Sequence, residues 1–164
     1  MKHTITYIAL LFFYLTDCNA QTIDKPKNNA LSFELGKTGL IYTLSFDHKF
    51  SNKPFGIRLD AGSNFAKYLH AFSTGMGGYI LFGKKSSFLE LGIDLNYLVV
   101  DEVSNDQKGF SLVYPDYSVK TYYASMNIGY RKYWKNSLFR LGASPGVIKN
   151  DFIPGGYISY GVIF

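Results

Sequence analysis

Few side chains in this sequence have the types and spacing needed for nucleophilic chemistry. Serine hydrolysis requires a serine beside a histidine that acts as its general base. His48 lies close to Ser45 along the chain, and His70 lies close to Ser73. In a strand, positions 45 and 48 face opposite sides. We therefore interpret the histidines as surface residues, and a catalytic site is the less favoured hypothesis.

Metal and phosphate chemistry have little support in the sequence. Calcium is held by closely spaced oxygen ligands, and one segment carries an acidic cluster, Asp101, Glu102, Asp106 and Asp116. A solvated loop is the better interpretation of that cluster. The stretch Gly36-Lys37-Thr38-Gly39 lacks the GxxxxGK[ST] spacing and the following helix of a phosphate loop. The sequence predicts no metal and no cofactor.

The composition indicates a chain in contact with apolar surroundings. Of 164 residues, 47% are hydrophobic and 18% are charged, below the roughly 25% of charged residues usual in soluble domains. Fourteen tyrosines and fourteen phenylalanines contribute to an aromatic content of 18%. Such a composition excludes a disordered tail, and the length suits one domain. The net charge of +5 is compatible with nucleic acid, an anionic membrane or neither.

The first twenty residues read as a secretory signal peptide, because Lys2 precedes an apolar run that ends in a short polar stretch. Cleavage after Ala20 leaves residues 21–28 as a periplasmic N-terminal segment and 29–164 as the folded domain. Lipidation of Cys18 is the less favoured alternative, because Asp17 replaces the expected small residue. Since Cys18 is the only cysteine, the exported domain is expected to have no disulfide.

Beyond the signal peptide, apolar residues alternate with polar or small ones, the pattern of strands with one apolar face. A clear case runs from Leu89 to Val99, where apolar side chains occupy the odd positions. The sequence contains no stretch of helical period after residue 20. Seven strands are evident, at roughly 39–48, 55–62, 71–83, 87–100, 119–132, 137–147 and 156–164.

An eighth strand is predicted at residues 29–36, because a closed antiparallel membrane barrel has an even number of strands. The apolar side chains of 29–36 occupy odd positions, and those of 39–48 occupy even positions. A two-residue turn at Lys37-Thr38 pairs Leu35 with Leu40 and keeps both on one face. The alternative is a glycine-marked bulge within one long strand.

The polar face of these strands carries glycines and charges of both signs. Eight strands enclose an interior just wide enough for their own side chains. We expect a lumen filled by a structural ion-pair network in preference to a proton or ion path. Its predicted members are Glu34, Arg58, Asp60, Glu90, Asp94 and Arg140.

Several segments resemble small outer-membrane β-barrel proteins of Gram-negative bacteria, the outer membrane protein beta-barrel domain family. These are the Asn-Ala before Gln21, residues 30–47, Phe88-Leu-Glu-Leu-Gly, Met126-Asn-Ile-Gly-Tyr-Arg, Phe139-Arg-Leu-Gly-Ala-Ser-Pro and the terminal Tyr-Ile-Ser-Tyr-Gly-Val-Ile-Phe. The resemblance implies an eight-stranded antiparallel up-and-down transmembrane barrel in the outer membrane. It also implies that Tyr160, Val162 and Phe164 form the C-terminal signal read by the barrel-assembly machinery.

The protein is expected to have a structural role, or to interact with other molecules through its extracellular loops. It is expected to be a monomer surrounded by outer-membrane lipids, and the sequence does not identify its extracellular partner. Two alternatives remain: a secreted soluble lipocalin-like binding barrel and, less favoured, an outer-membrane lipid-modifying enzyme.

The lengths of the connections between the predicted strands alternate, and short turns face the periplasm in outer-membrane barrels. Lysines and Arg131 cluster at the short turns, so the basic charge is expected near anionic headgroups, and nucleic acid is not an expected partner.

Overall fold

The computed structural model describes residues 27–37, 40–64, 69–102, 119–148 and 151–164. The predicted signal peptide and most of the acidic 101–118 loop lie outside these residues. Among the described residues, no helix is long and apolar enough to cross a membrane. The strands are β1 (Asn29–Gly36), β2 (Tyr42–Lys49), β3 (Phe55–Ser63), β4 (Leu69–Lys84), β5 (Ser87–Glu102), β6 (Val119–Tyr133), β7 (Ser137–Ala143), β8 (Gly146–Ile148), β9 (Asp151–Ile153) and β10 (Gly156–Ile163).

The strands form one closed antiparallel barrel. Each strand from β1 to β5 pairs with the next strand along the chain. Strand β6 then pairs with β7, and β7 pairs with β10. The ring closes where β10 pairs with β1, with Phe33 opposite Tyr160. Counting β7 with β8 as one barrel strand and β9 with β10 as another gives eight strands. The prediction of an eight-stranded antiparallel up-and-down barrel is confirmed.

Two prolines divide the seventh and eighth barrel strands. Ala143 pairs with Gly156 and Gly146 pairs with Ile153, so the register is unbroken across the gap and Pro145 lies opposite Pro154. Proline has no N–H to give to a ladder, which explains the two breaks. Ser144 N still donates to Gly155 O at 2.8 Å, and Met126 N donates to Pro145 O at 2.9 Å. The barrel wall therefore continues through the paired prolines.

The β1–β2 connection differs from the predicted two-residue turn. Leu35 pairs with Tyr42, two residues beyond the predicted partner Leu40. Gly36 N donates to Ile41 O at 3.0 Å, so the connection spans residues 37–41. Leu40, expected on the outer face, is instead buried. A two-residue primed turn needs positive φ at its central positions, a conformation that a β-branched residue such as Thr disfavours.

The two faces of the barrel have inverted polarity compared with a soluble protein. Apolar side chains point outward, and Met76, Ile93 and Leu95 each expose 60–63% of their surface. The opposite face of the same strands holds the buried polar residues, including Glu90 and Arg140 at 0% exposure. Strand alternation thus separates an apolar outer belt from a polar interior.

Candidate functional site

The interior of the barrel holds a cluster of buried charged side chains, which we call the lumen network. Alternate residues of every long strand point inward, so the strands deliver these side chains to a common axis. Among the described residues, the network contains five carboxylates and four cations, all at most 6% exposed. They are Glu34, Asp47, Asp60, Glu90 and Asp94, with Lys37, Arg58, Arg131 and Arg140.

Glu90 is the hub of the lumen network, because three guanidinium groups contact its carboxylate. Arg140 donates to it through Nε at 3.1 Å and Nη2 at 2.8 Å. Arg131 Nε donates at 2.6 Å and Arg58 Nη1 at 3.0 Å. Arg140 also reaches Glu34 through Nη1. Charge-assisted bonds of this kind are stronger than neutral ones and fix the geometry of both groups.

Arg131 links the hub to a second branch of the network. This branch extends toward the end of the barrel that carries the β2–β3, β4–β5 and β6–β7 turns, which we call the short-turn end. Its Nη2 donates to Asp47 at 2.7 Å, and its Nη1 donates to Tyr133 Oη at 2.9 Å. Tyr79 donates its hydroxyl to Asp47, and the Arg131 guanidinium lies 4.2 Å from the centre of the Tyr79 ring. Asp47 and Arg131 are therefore each held by an ion pair and by an aromatic neighbour.

Lys37 completes a third branch toward the opposite end. Its ammonium group contacts Asp60, lies 3.0 Å from Asp94 Oδ2 and lies 3.9 Å from Glu34 Oε2. Burial by itself lowers the pKa of Lys37, but Glu34, Asp60 and Asp94 outweigh burial and Arg58, and the pKa is raised above its ordinary value. Lys37 therefore remains charged inside the barrel.

The network is tightly packed. Asn127 Nδ2 donates to Asp94 at 2.6 Å, and Ser45 Oγ donates to Glu34 at 2.9 Å. A cavity beside Lys37 and Asp60 measures about 10 Å³, which is room for about one water molecule. A Cβ on the inward-facing Gly77 would overlap the Asp94 carboxylate. Small residues on the inner face are thus what makes room for the charges.

An apolar cluster lies inside the barrel at the end where residues 103–118 connect β5 to β6. Leu40, Ala71, Leu98, Val100 and Tyr123 are buried together, and Ile148 packs against them. Leu98, Val100 and Tyr123 follow the same inward alternation that carries the charges farther along β5 and β6. The sequence interpretation assigned only a polar inner face and did not include these residues.

The structure brings together all six residues that the sequence proposed for the lumen: Glu34, Arg58, Asp60, Glu90, Asp94 and Arg140. Sequence reasoning missed Asp47, Arg131 and Lys37. Asp47 and Arg131 occupy the inward phase of their strands, so the alternation was sufficient to find them. The expectation that Arg131 belongs to the basic rim was wrong, because its guanidinium is paired within the lumen. Lys37 follows a strand, and periodicity does not predict where a turn side chain points.

The residues proposed as an assembly signal lie at the end of β10, on the outer face. Tyr160 and Phe164 are more than half exposed, and Val162 is partly exposed. Tyr160 Oη donates to Ser137 Oγ at 2.9 Å. Phe164 N donates to Asn29 O at 2.9 Å. These residues therefore sit at the seam where the first and last strands close the barrel.

The structure does not bring the candidate catalytic pair together. His48 Nδ1 lies 2.7 Å from Asn29 Oδ1, and its ring packs edge-on against Phe50 at 5.3 Å between centroids. Ser45 points into the lumen instead. Within the described residues, no group of three or more His, Cys, Asp or Glu side chains has the arrangement of a metal site. The side chain of His70 is outside the described part.

Comparison with known proteins identifies the fold. No protein-family model matches the chain, and no curated protein is significantly similar to it. The N-terminal β-barrel domain of Pseudomonas aeruginosa OprF is similar in structure, with a TM-score of 0.68 at 12% sequence identity, covering 84% of this chain and 98% of that domain. Neisserial surface protein A aligns with a TM-score of 0.43 at 15% identity, covering 83% and 93% of the two chains. The chain therefore has the barrel fold of the OprF domain.

Proposed function

We propose that this protein is a monomeric integral outer-membrane barrel with a plugged lumen, and that it acts structurally or as an interaction protein through its outer loops. The observation that carries the proposal is the inverted polarity of the barrel wall. A continuous belt of half-exposed Leu, Ile, Phe, Met and Tyr side chains surrounds the buried charges. Soluble proteins rarely expose apolar patches larger than a few hundred Å². Such a belt is stable when lipid covers it.

The same polarity argues against a soluble lipocalin-like barrel. A barrel that binds an apolar ligand inside must turn its apolar faces inward, whereas here the centre of the interior is occupied by Glu90 and its three arginine partners. Water outside such a barrel would contact Ile93, Leu95 and Met76, each at least 60% exposed. The hydrophobic effect therefore favours the membrane-embedded state.

The lumen network supports a barrel that does not conduct solutes. Its charges are paired with each other across the axis, and the cavity beside Lys37 holds about one water molecule. The apolar cluster around Leu98 and Val100 adds a second layer at the end of the barrel that carries the 103–118 connection. In liposome-swelling assays, proteoliposomes carrying the protein are expected to exclude small sugars as protein-free liposomes do. Rapid sugar entry would contradict the plug.

Membrane insertion and orientation are tested together by single-cysteine labelling. The predicted exported domain has no cysteine, so Asp151→Cys and Lys53→Cys each introduce one reactive group, at opposite rims of the barrel. On intact cells, a membrane-impermeant maleimide is expected to label position 151 and to label position 53 only after the outer membrane is opened. Recovery of either variant in the soluble fraction without detergent would contradict the proposed location.

The interaction role rests on the longest connection, residues 103–118, which lies outside the described part of the chain. Replacing residues 104–117 by a short Gly-Ser linker leaves each of the ten described strands intact. If the loop carries function, this variant is expected to assemble in the membrane and yet fail to restore the phenotype of a strain that lacks the protein. Full restoration would favour a purely structural role for the barrel.

A further inference from the structure

On the outer surface of three adjacent strands, the side chains change from polar at the short-turn end to apolar toward the middle of the barrel. The register of β4, β5 and β6 places Lys84, Ser87 and Lys132 side by side in one row. Apolar rows follow it along the strands toward the middle of the barrel. These rows are Phe82-Leu89-Tyr130, Ile80-Leu91-Ile128 and Gly78-Ile93-Met126. Polar and apolar zones therefore succeed each other along one strip of the barrel wall.

Among the side chains that the structure describes, no carboxylate is paired with the positive charges of the polar row. Lys132 Nζ and Tyr130 Oη each donate to Ser87 Oγ at 3.1 Å, and Lys85 in the adjoining turn is exposed. Of the side-chain carboxylates whose surroundings the structure describes, five are buried in the lumen. The sixth, Asp151, lies at the opposite rim. An anion at this row would therefore meet lysines and a hydroxyl, and no competing acid among the described side chains.

The apolar end of the strip is an open groove. Gly78 faces outward, where a Cβ would meet only the Gly56 carbonyl oxygen, at 3.8 Å. Its missing side chain leaves a groove of about 400 Å³ between Ile80, Leu91, Ile93, Met126 and Ile128. A membrane does not leave an apolar groove of this size empty, because lipid chains fill it at no cost in desolvation.

The spacing of row and groove matches a lipid leaflet. Six residues separate Lys84 from Gly78, which is roughly 20 Å along a strand. At a strand tilt of about 40°, this becomes a depth of roughly 15 Å. Half the hydrocarbon thickness of a bilayer is also about 15 Å. A lipid with its phosphate at the lysine row thus reaches the groove with the end of an acyl chain.

We infer that this strip, with Lys84, Ser87 and Lys132 at one end and the Gly78 groove at the other, is a binding site for an anionic glycerophospholipid. The inference rests on the proposed membrane location and on the short turns facing the periplasm, because only then does the row lie at a phospholipid headgroup layer. Lysine charge selects the anionic headgroup, and the groove accommodates one acyl chain.

Trp134 offers a direct measurement, because it is the only tryptophan and lies two residues beyond Lys132, half-exposed on the outer side. The full barrel is reconstituted in phosphatidylcholine vesicles that contain increasing fractions of brominated phosphatidylglycerol or brominated phosphatidylcholine. Bromine quenches tryptophan on contact, so the two curves give the ratio of lipid binding constants. We expect phosphatidylglycerol to be preferred at least about five-fold, the contribution of one lysine near an anionic surface.

Matched variants separate a built site from general attraction. Lys84→Gln with Lys132→Gln should bring the ratio close to one, whereas Lys49→Gln with Lys53→Gln removes equal charge from the same rim and should leave it unchanged. Gly78→Leu fills the groove and should weaken phosphatidylglycerol binding several-fold, while Ala61→Leu, which adds one carbon fewer at another outward residue, should not. Equal losses from both lysine pairs would overturn the site in favour of nonspecific attraction, and unchanged binding by Gly78→Leu would overturn the groove.

The experiment also distinguishes this inference from the proposed function. Equal quenching by both brominated lipids would contradict the lipid site and leave membrane insertion supported. Absence of quenching by either lipid would mean that the barrel does not enter the bilayer, and would contradict the proposed function itself.

Discussion

Arg140 donates through Nε and Nη2 to the two carboxylate oxygens of Glu90, at 3.1 and 2.8 Å. This two-point contact joins β7 to β5 across the lumen, so it ties together strands that do not pair with each other. Planar guanidinium and carboxylate groups fit each other in this orientation and hold each other in place. With Arg58 and Arg131 on the same carboxylate, the Glu90 hub connects four strands through one side chain.

Removal of the hub charge is expected to destabilise the barrel strongly. Glu90→Gln keeps the size of the side chain but leaves three buried guanidinium groups without their shared anion. Breaking a buried pair by removing one partner costs about 3–5 kcal/mol. Urea unfolding of the refolded protein in detergent, followed by Trp134 fluorescence, should show a lower free energy of unfolding by about that amount.

Asp151→Asn is the control for that experiment, because Asp151 is exposed at a rim and an equal loss of charge there should change stability by less than about 0.5 kcal/mol. If Glu90→Gln unfolds at the same urea concentration as the wild type, the lumen network contributes no stability and the structural role proposed for it is wrong.

Two neighbouring glycines are expected to respond oppositely to alanine. A Cβ at Gly77 would overlap Asp94 Oδ1 and lie 2.6 Å from the carbonyl oxygen of Ile93, whereas a Cβ at Gly78 would meet only the Gly56 carbonyl oxygen, at an ordinary contact distance of 3.8 Å. Gly77→Ala should therefore cost about 1–3 kcal/mol through overpacking. Gly78→Ala should be neutral or stabilise by up to about 1 kcal/mol, by restricting the unfolded chain. The same unfolding assay compares them, and equal effects would mean that the inner face is not tightly packed.

The stability supplied by Lys37 should disappear at high pH. Because its folded-state pKa is raised, the contribution is complete below the unfolded-state pKa of about 10.4 and falls as pH rises above it toward the folded value. Replacing Lys37 by Met removes the titrating group. The difference in unfolding free energy between the wild type and Lys37→Met should stay constant from pH 8 to about pH 10 and shrink at higher pH. A difference that grows above pH 10 would contradict the sign of the shift.

The C-terminal aromatic is expected to affect assembly more than stability. Phe164 is 56% exposed on the outer side, so Phe164→Ser removes little packing from the barrel. Expressed in cells, this variant should accumulate less folded barrel in the outer membrane, while its urea midpoint after refolding in detergent remains near that of the wild type. Tyr122→Ser, which alters a more exposed aromatic within β6, should assemble normally. Equal assembly of both variants would exclude Phe164 as a signal position.

The alternation of residue types was sufficient for most of the architecture and for part of the candidate site. Odd positions from Leu89 to Val99 predicted an apolar outer face for β5, and the even positions Glu90 and Asp94 lie in the lumen as expected. The requirement for an even number of strands predicted the additional strand β1, which the structure contains. Alternation succeeds because a strand has a fixed period of two, so one assigned residue orients all the others.

The turns and the breaks were beyond this reasoning. Leu40 and Lys37 lie in a connection, where side-chain directions do not repeat with a fixed period. Both side chains are buried inside the barrel. The predicted strand at 137–147 contains Pro145, but the position of Pro154 directly across from it follows from the register of two strands. Register describes how two strands align with each other, and the alternation of residues within one strand does not predict it.

The period of two assigns the two faces of each strand and the kinds of residue on each face, since these depend on local alternation. The eighth strand followed from the even strand number of a closed barrel. The closed sheet is what establishes that the expected polar faces do point inward, and which guanidinium each carboxylate meets. Alternation is the same for a barrel turned either way, and Glu90 lies 50 positions from Arg140 along the chain. Closure of the sheet, which makes distant strands share one narrow axis, brings these two side chains together.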